Sequence, residues 1–184
     1  IYAAAATAVN ITESLIAGNS SDSFGGGVYI VTGVMEAVNA TFSGNSATEG
    51  GAVYASANAE ALLTNVTVTS NTATAAGGGL TNDSGIITLR NTIVAGNLSS
   101  TDADLKGAIT SGGNNLIGII DTSTGITDGN KNDQAGTKAA PLDAGLTALG
   151  DYGGPTLAHS LIPGSEAIDR ANDFWAPETD QRGK

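Results

Sequence analysis

Oxygen-bearing side chains alternate along one polar stretch of the chain, Asp128, Asn130 and Asn132, with Asp133 beside them. Alternating carboxylate and amide oxygens open many calcium-binding loops, which also need a glycine at the sixth position and a bidentate acid at the twelfth. Here those two positions hold Asp133 and Ala139. The stretch is thus an incomplete match to a calcium-binding loop. The alternative interpretation is a solvated loop that binds no metal. No cofactor other than calcium is expected.

Carboxylates are the second chemical resource, because lyases and glycosidases cleave polysaccharides with acids that are gathered in one cleft. The acids of the first 110 residues are Glu13, Asp22, Glu36, Glu49, Glu60, Asp83, Asp102 and Asp104. They do not recur at one position of the repeat described next, and Arg90 has Thr64 one period before it. His159 lies in an apolar run, which favours packing over catalysis. We expect no catalytic residues, and polysaccharide binding or degradation remains the alternative function.

A fixed interval of 26 residues runs through the first hundred residues. The first asparagine set that keeps this interval is Asn19, Asn45, Asn71 and Asn97. A second set, with Glu13 in the preceding slot, is Asn39, Asn65 and Asn91. Three residues before each member of the first set stands an apolar residue: Ile16, Phe42, Val68 and Val94. A period of this length indicates a solenoid.

The residues within one period predict strands. Strand-favouring runs are short and are separated by Gly, Asn, Ser and Thr, and no long segment has the apolar period of an amphipathic helix. Stacked coils would repeat at about 4.8 Å, the spacing of strands in a sheet. The apolar residues would then form an interior column, and both asparagine sets could form ladders of amide hydrogen bonds. We predict an all-β fold, a right-handed parallel β-helix with about 26 residues per coil, since right-handed crossovers dominate parallel sheets.

Three regions are expected within a single domain. Residues 1–120 are predicted to form the coils, residues 121–140 a polar loop rich in Gly, Asn and Asp, and residues 141–184 irregular C-terminal coils or a cap on the end of the stack. Ile1-Tyr2-Ala3 matches Val53-Tyr54-Ala55 two periods later, so Ile1 falls within a coil. We therefore expect a fragment of a longer solenoid, whose open first coil invites association.

Charge and composition exclude several classes of partner and of site. The formal net charge is −11, which argues against nucleic acid and against insertion into an anionic membrane. The chain has no cysteine, so disulfides and cysteine-based metal sites are excluded.

Two parts of the sequence resemble known families of bacterial proteins. FSGN at 42–45 and GGAV at 50–53 resemble the FxxN and GGA[ILV] repeat motifs of polymorphic outer membrane proteins. The second half is similar to choice-of-anchor Q bacterial surface proteins, in the strings NTIVAGN (91–97), DLKG (104–107), GGNNLIG (112–118), PLDAGLTALGDYGGPTLAHSLIPGSEAID (141–169) and TDQRG (179–183).

These resemblances imply a pectin-lyase-like right-handed β-helix that is secreted and displayed on bacterial cells, without a known catalytic activity. We therefore expect an extracellular or cell-surface solenoid with a structural or adhesive role that self-assembles into fibres. The expected partners are other copies of the chain, neighbouring surface or matrix components, and polysaccharide.

Overall fold

Parallel strands dominate the computed structural model, which describes residues 1–4 and 7–184. The strands stack into a solenoid of about 4 turns, in which equivalent residues lie about 26 positions apart. Within the described residues, helical geometry is limited to two 3₁₀ turns, Asn130–Asn132 and Asp173–Trp175. The fold class predicted from the repeat, a parallel β-helix, is confirmed. Residues 5 and 6, within the range expected for the coils, lie outside the described residues.

Three parallel sheets run along the stack. The first sheet contains β1 (Tyr2–Ala3), β2 (Thr7–Thr12), β4 (Val28–Val38), β7 (Val53–Thr64), β10 (Leu80–Asn82), β11 (Ile86–Arg90), β14 (Leu105–Lys106) and β15 (Ile109–Ser111). The second sheet contains β3 (Leu15–Ala17), β5 (Thr41–Ser43), β8 (Thr67–Thr69), β12 (Ile93–Val94), β16 (Leu116–Ile117) and β17 (Gln134–Ala135). The third sheet contains β6 (Ser46–Glu49), β9 (Thr72–Ala76) and β13 (Leu98–Thr101).

One side chain per coil of the second sheet fills the interior. The paired residues of this column are Ile16, Phe42, Val68, Val94, Ile117 and Ala135. Phe42, the largest fully buried side chain, pairs with residues directly above and below it. Because stacking repeats the same environment in each coil, every coil requires an apolar residue at this position. Each full burial contributes about 1.5–3 kcal/mol.

The glycine pairs of the repeat mark a close approach between coil backbones. A Cβ atom on Gly26 would lie 2.4 Å from the carbonyl oxygen of Gly51. A Cβ atom on Gly51 would lie 2.2 Å from that of Gly78. Only glycine fits this column, which explains why Gly-Gly recurs after each bend of the first coils.

Residues 121–140 differ from the expected polar loop because they extend the stack. Thr124 forms a parallel bridge with Ala108, and β17 pairs with β16. Asn115 and Asp133, which are hydrogen-bonded across this step, lie only 18 residues apart. Because this coil is shorter, its residues do not keep the 26-residue interval. Without that interval, its polar composition alone predicts a loop.

Residues 141–184, here called the flank segment, lie along the side of the stack and not on its end as expected of a cap. Asn39 Nδ2 donates to the carbonyl oxygen of Thr179 at 2.6 Å, across 140 residues of sequence. Thr41 Oγ1 donates to Gln181 Oε1 at 2.7 Å. Farther along the stack, Asn114 Nδ2 donates to the carbonyl of Arg170 at 2.7 Å.

An apolar layer explains this position. The outward-facing side chains of the second sheet and those of the flank segment form a separate small cluster, Ile93, Ala95, Leu116, Leu142, Ala144, Leu146 and Ala167. The ring centroid of Trp175, in the flank segment, lies 3.9 Å from the guanidinium carbon of Arg90, a cation–π contact. The outer face of the second sheet is thereby covered by the flank segment.

Candidate functional site

The first asparagine set forms a continuous hydrogen-bonded column. Asn45 donates to Asn71 Oδ1 from both its backbone nitrogen and Nδ2, at 3.0 and 2.9 Å. Asn71 makes the same two bonds to Asn97 Oδ1, at 3.0 and 2.9 Å. A further Nδ2 bond of Asn71 reaches the carbonyl of Phe42 at 3.0 Å. These buried amides satisfy backbone groups at the bends and present no free polar atom to a ligand.

The column ends on a carboxylate. Asn97 donates to Asp104 Oδ1 from its backbone nitrogen and Nδ2, at 3.0 and 2.8 Å. A carboxylate only accepts, so no further bond can pass along the column. Burial raises the pKa of Asp104 to about 6, against the lowering effect of Asn97 and of the Ile119 amide. Asp104 Oδ2 is buried without a hydrogen-bond partner, and a Cβ on Gly118 would lie 2.5 Å from it.

A second, shorter column has the same design. Thr92 N donates to Asn115 Oδ1 at 3.1 Å, and Asn115 donates to Asp133 Oδ1 from N and Nδ2, both at 2.9 Å. Ser111 Oγ donates to the other carboxylate oxygen of Asp133 at 2.5 Å. Asp133, which the sequence suggests as a calcium ligand, therefore has both oxygens occupied inside the stack. Asn115 has no counterpart at the 26-residue interval, so the interval does not reveal this column.

Of the remaining members of the calcium-loop pattern, Asp128 and Asn132 line an open hollow together with Asp133, Asp169 and Arg170. Asp128 Oδ1 accepts from Ala135 N at 3.0 Å, while Asn130 and Asn132 are exposed. Across the described residues, no three His, Cys, Asp or Glu side chains are close enough to hold a metal ion together. The calcium interpretation fails for Asp133 because its carboxylate completes the second column.

The second asparagine set is a column of bends and not an amide ladder, which corrects the sequence interpretation. Asn39, Asn65 and Asn91 have positive φ angles of 50, 54 and 48°, a conformation that asparagine tolerates well. Among the described residues, no hydrogen bond joins their side chains. Asn91 instead donates to and accepts from the backbone of Asn172, at 3.0 and 2.9 Å. With Asn39, it anchors the flank segment.

Ser43 and His159 form the one arrangement with the geometry of a nucleophile and its base among the described residues. Ser43 Oγ lies 2.9 Å from His159 Nε2, and His159 Nδ1 lies 2.7 Å from the carbonyl oxygen of Thr147. Since a carbonyl can only accept, Nδ1 carries the proton and Nε2 accepts from the serine hydroxyl. Ser43 is only 4% exposed, beneath the flank segment. The pair fastens that segment, and Ser43 does not line the hollow of about 450 Å³ that His159 borders.

Two acids of the coils also have structural partners. Glu49 forms an ion pair with Lys106 at 2.7 Å. Asp83 accepts from the Tyr54 hydroxyl at 2.9 Å, and burial together with this carboxylate raises the pKa of Tyr54. Each of these carboxylates is thus engaged by a side chain of another coil.

Tyr2, Tyr29 and Tyr54 of the first sheet form the aromatic column together with Phe24, which bridges to Glu49 of the third sheet, and Tyr54 is only 5% exposed. Tyr2, Tyr29 and Tyr54 are in parallel register, with successive ring centroids 5.4 Å apart. Phe24 packs on Tyr54 at 4.4 Å and on Tyr29 at 5.6 Å. Sequence reasoning missed this surface. Its signal is the repeated pair of a branched apolar residue and a tyrosine, which served only to set the register of the first coil.

The comparisons with known proteins match one repeat. The model of the Chlamydia polymorphic membrane protein (Chlamydia_PMP) repeat matches residues 39–56. No curated protein and no solved structure matches the chain. No helix in the described part of the chain has the length and apolar character needed to cross a membrane. The matched stretch contains Phe42, Asn45, Gly50 and Gly51, which supply the core, the first column and the close approach of the coils.

Proposed function

We propose that this chain is a bacterial cell-surface β-solenoid whose coils form a rigid scaffold for adhesion. The observation that carries the proposal is the repeat match at residues 39–56. Its residues act in scaffolding: Phe42 fills the interior and Asn45 bonds the coils before and after it. Such a scaffold leaves its outer faces free to vary. The resemblance to choice-of-anchor Q proteins, and through it to pectin-lyase-like β-helices, supports secretion and surface display.

Adhesion is proposed in preference to assembly into fibres. A fibre built by coil-on-coil stacking would need donors and acceptors that continue at both ends of each column. Asp133, next to the last strand of the second sheet, ends the second column with a carboxylate that cannot donate onward. Neighbouring surface components and polysaccharide are therefore the partners that we favour over other copies of the chain.

Polysaccharide binding is the second candidate, and the aromatic column favours it. Polysaccharide cleavage is not favoured, because Ser43 is buried under the flank segment and Asp83 and Glu49 are engaged with Tyr54 and Lys106. We propose that the chain has no enzymatic activity. Incubation with pectin, alginate and neutral glucans should release no oligosaccharides, and sustained product formation would refute this part.

Surface display is tested on intact bacteria that carry the protein. Antibodies raised against the folded chain should stain unpermeabilised cells, and external protease should remove the staining. Signal that appears only after permeabilisation would contradict the proposed location. Electron microscopy of the purified chain tests whether it assembles into fibres. We expect separate particles, and long filaments would restore the fibre interpretation.

A further inference from the structure

One buried carboxylate oxygen has no hydrogen-bond partner, and it belongs to the residue that ends the first column. Asp104 is 1% exposed, and Asn97 occupies its Oδ1 from two nitrogens. Its Oδ2 is buried without a partner. The Ile119 amide favours the charged form but makes no hydrogen bond to this oxygen. Because an unpaired buried acceptor is unfavourable, and more so when it is charged, this oxygen would gain from a donor that a ligand brings.

The chain keeps space open beside this oxygen. A Cβ atom on Gly118 would lie 2.5 Å from Asp104 Oδ2 and 3.1 Å from the Cβ atom of Ala95. Gly118 does not have a positive φ angle, so its backbone conformation does not itself require glycine. A larger residue at this position would cover the oxygen. The glycine therefore leaves the carboxylate uncovered on this side.

A hollow of about 430 Å³ opens over Asp104, between the ends of β8, β12 and β16 and the first residues of the flank segment. That volume is within the range of small-molecule sites. Asn97 and Asp104 are buried at its floor, whereas Ser70, Leu98 and Asp143 are exposed at its mouth. The second sheet continues on both sides of it, through β5 and β17, so the hollow does not lie at an open end of the stack.

The lining of the hollow favours a cation with an aliphatic stem. Its larger apolar residues are Leu98, Ile119, Pro141, Leu142 and Leu146. No basic side chain of the described residues lines it, so no cation of the chain neutralises Asp104 there. The net charge of −11 adds a general attraction for cations.

Among cations, a primary alkylammonium matches the single free oxygen best. Calcium takes about six to eight oxygen ligands, and no three acidic side chains of the described residues are close enough to hold a metal ion. A guanidinium pairs best with both oxygens of a carboxylate, but Asn97 already occupies Oδ1 of Asp104. An ammonium group is a compact charge whose flexible stem packs along apolar surface.

We propose that the hollow over Asp104 binds a primary alkylammonium group, carried either by a free amine or by a lysine side chain of another protein. The ammonium donates to Asp104 Oδ2, and its stem packs on the leucine side chains of the wall. This site goes beyond the proposed adhesive function and does not depend on surface display.

NMR titration of the intact, isotope-labelled chain tests the proposal, with the Asn97 and Ile119 amides beside Asp104 as reporters. The probe n-butylammonium should shift both amide signals and saturate at millimolar concentrations or below. Two matched probes, n-butanol without the charge and ammonium without the stem, should each bind at least about tenfold more weakly. Acetyl-lysine methylamide separates the two sources: binding like that of n-butylammonium assigns the site to protein lysines, and binding of n-butylammonium alone assigns it to free amines.

Asp104→Asn should weaken n-butylammonium binding at least about tenfold, because the amide can still accept from Asn97 but carries no charge. Glu60→Gln is the matched loss of one carboxylate, at an exposed position of the first sheet. It should leave the affinity within about twofold, since solvent and salt screen a distant charge. This pair separates a specific contact from the general attraction of an acidic chain.

The parent chain provides the same test without a substitution. Burial raises the pKa of Asp104 to about 6, with Asp121 adding to the increase and Asn97 and the Ile119 amide opposing it. Asp143 is the other carboxylate that lines the hollow. Because the ionised form of Asp104 is the one that pairs with an ammonium, n-butylammonium should bind about tenfold more weakly at about pH 5 than at about pH 7.5.

Four results would overturn the inference. The hollow would be merely apolar if n-butanol bound as well as n-butylammonium, and a site for simple cations if ammonium or calcium bound as tightly. Tighter binding of n-propylguanidinium would contradict the single free oxygen. Equal effects of Asp104→Asn and Glu60→Gln, or the absence of any saturable shift, would remove the site. None of these results would alter the outcome of cell-surface staining, so the two proposals fail separately.

Discussion

The outer faces of the first and second sheets come from the same coils yet have opposite environments. On the second sheet, Ser43 and Ala95 are 4% and 3% exposed because the flank segment covers them. On the first sheet, Val34 and Ile86 are 46% and 51% exposed. The second face is occupied by the chain itself, whereas the first is open. A partner that packs flat against a sheet must therefore be sought on the first sheet, although the Asn motifs of the repeat draw attention elsewhere.

A charge placed on each face in turn should give the largest difference in stability between the two faces. Ala95→Arg would put an unpaired cation between the second sheet and the flank segment, and should cost about 3–5 kcal/mol. Val34→Arg is the matched change on the open face and should alter stability little. Urea unfolding of both variants measures the difference. Equal losses would mean that the two faces are similarly buried.

Asp104 should give the covered side a pH dependence. Its folded pKa, about 6, exceeds the ordinary value of 3.8, so the folded state holds the proton more tightly. The associated stability is present below about pH 4 and is lost as pH rises through 6. At about 1.4 kcal/mol per pKa unit, the loss is at most about 3 kcal/mol.

Asp104→Asn is the test of this dependence, because its Oδ1 can still accept from Asn97 while carrying no charge. Thermal melts between pH 4 and 8 should show a smaller decrease for the variant than for the parent chain. Parallel curves for the two proteins would show that Asp104 ionises as it does in water.

The asparagines in the middle of the first column should contribute more to the free energy of unfolding than the one at its exposed end. Asn45→Ala would remove bonds to Ile16, Asn19 and Asn71, leave buried backbone groups unpaired, and cost about 1–3 kcal/mol. Asn19→Ala, at an exposed position, should cost less. Denaturant titrations rank the two, and an unchanged midpoint for Asn45→Ala would contradict the structural role of the column.

The Ser43–His159 contact should have the smallest effect. Ser43→Ala removes one hydrogen bond under the flank segment and should cost about 1 kcal/mol. Any hydrolytic activity that the chain shows should be the same with and without this hydroxyl. Loss of an activity in Ser43→Ala would instead revive the catalytic reading of the pair.

The sequence predicted the regular stack because each coil repeats the environment of the one before it. Phe42 and Asn45 could thus be placed from their interval alone. Asn115 and Asp133 could not, because the coils shorten to steps of 23 and 18 residues. An interval also cannot tell an amide that bonds to the next coil from one, such as Asn39, that occupies a left-handed bend.

The flank segment was misplaced for a different reason. Its anchors join residues between 56 and 140 positions apart, such as Asn114 with Arg170 and Asn39 with Thr179. Several of them use backbone carbonyls of the segment, which leave no pattern of side-chain types in the sequence. The aromatic column was visible as a repeated tyrosine, but its exposure depends on which face the flank segment covers.

Single-cysteine labelling tests the contrast between the two faces most directly, because the chain has no cysteine of its own. Ser43→Cys places a thiol under the flank segment, and Val34→Cys places one on the open first sheet. Maleimide should label the Val34→Cys protein at least about 100-fold faster, since labelling at the covered position requires local opening. Similar rates for the two thiols would show that the second sheet is not covered and would contradict the account.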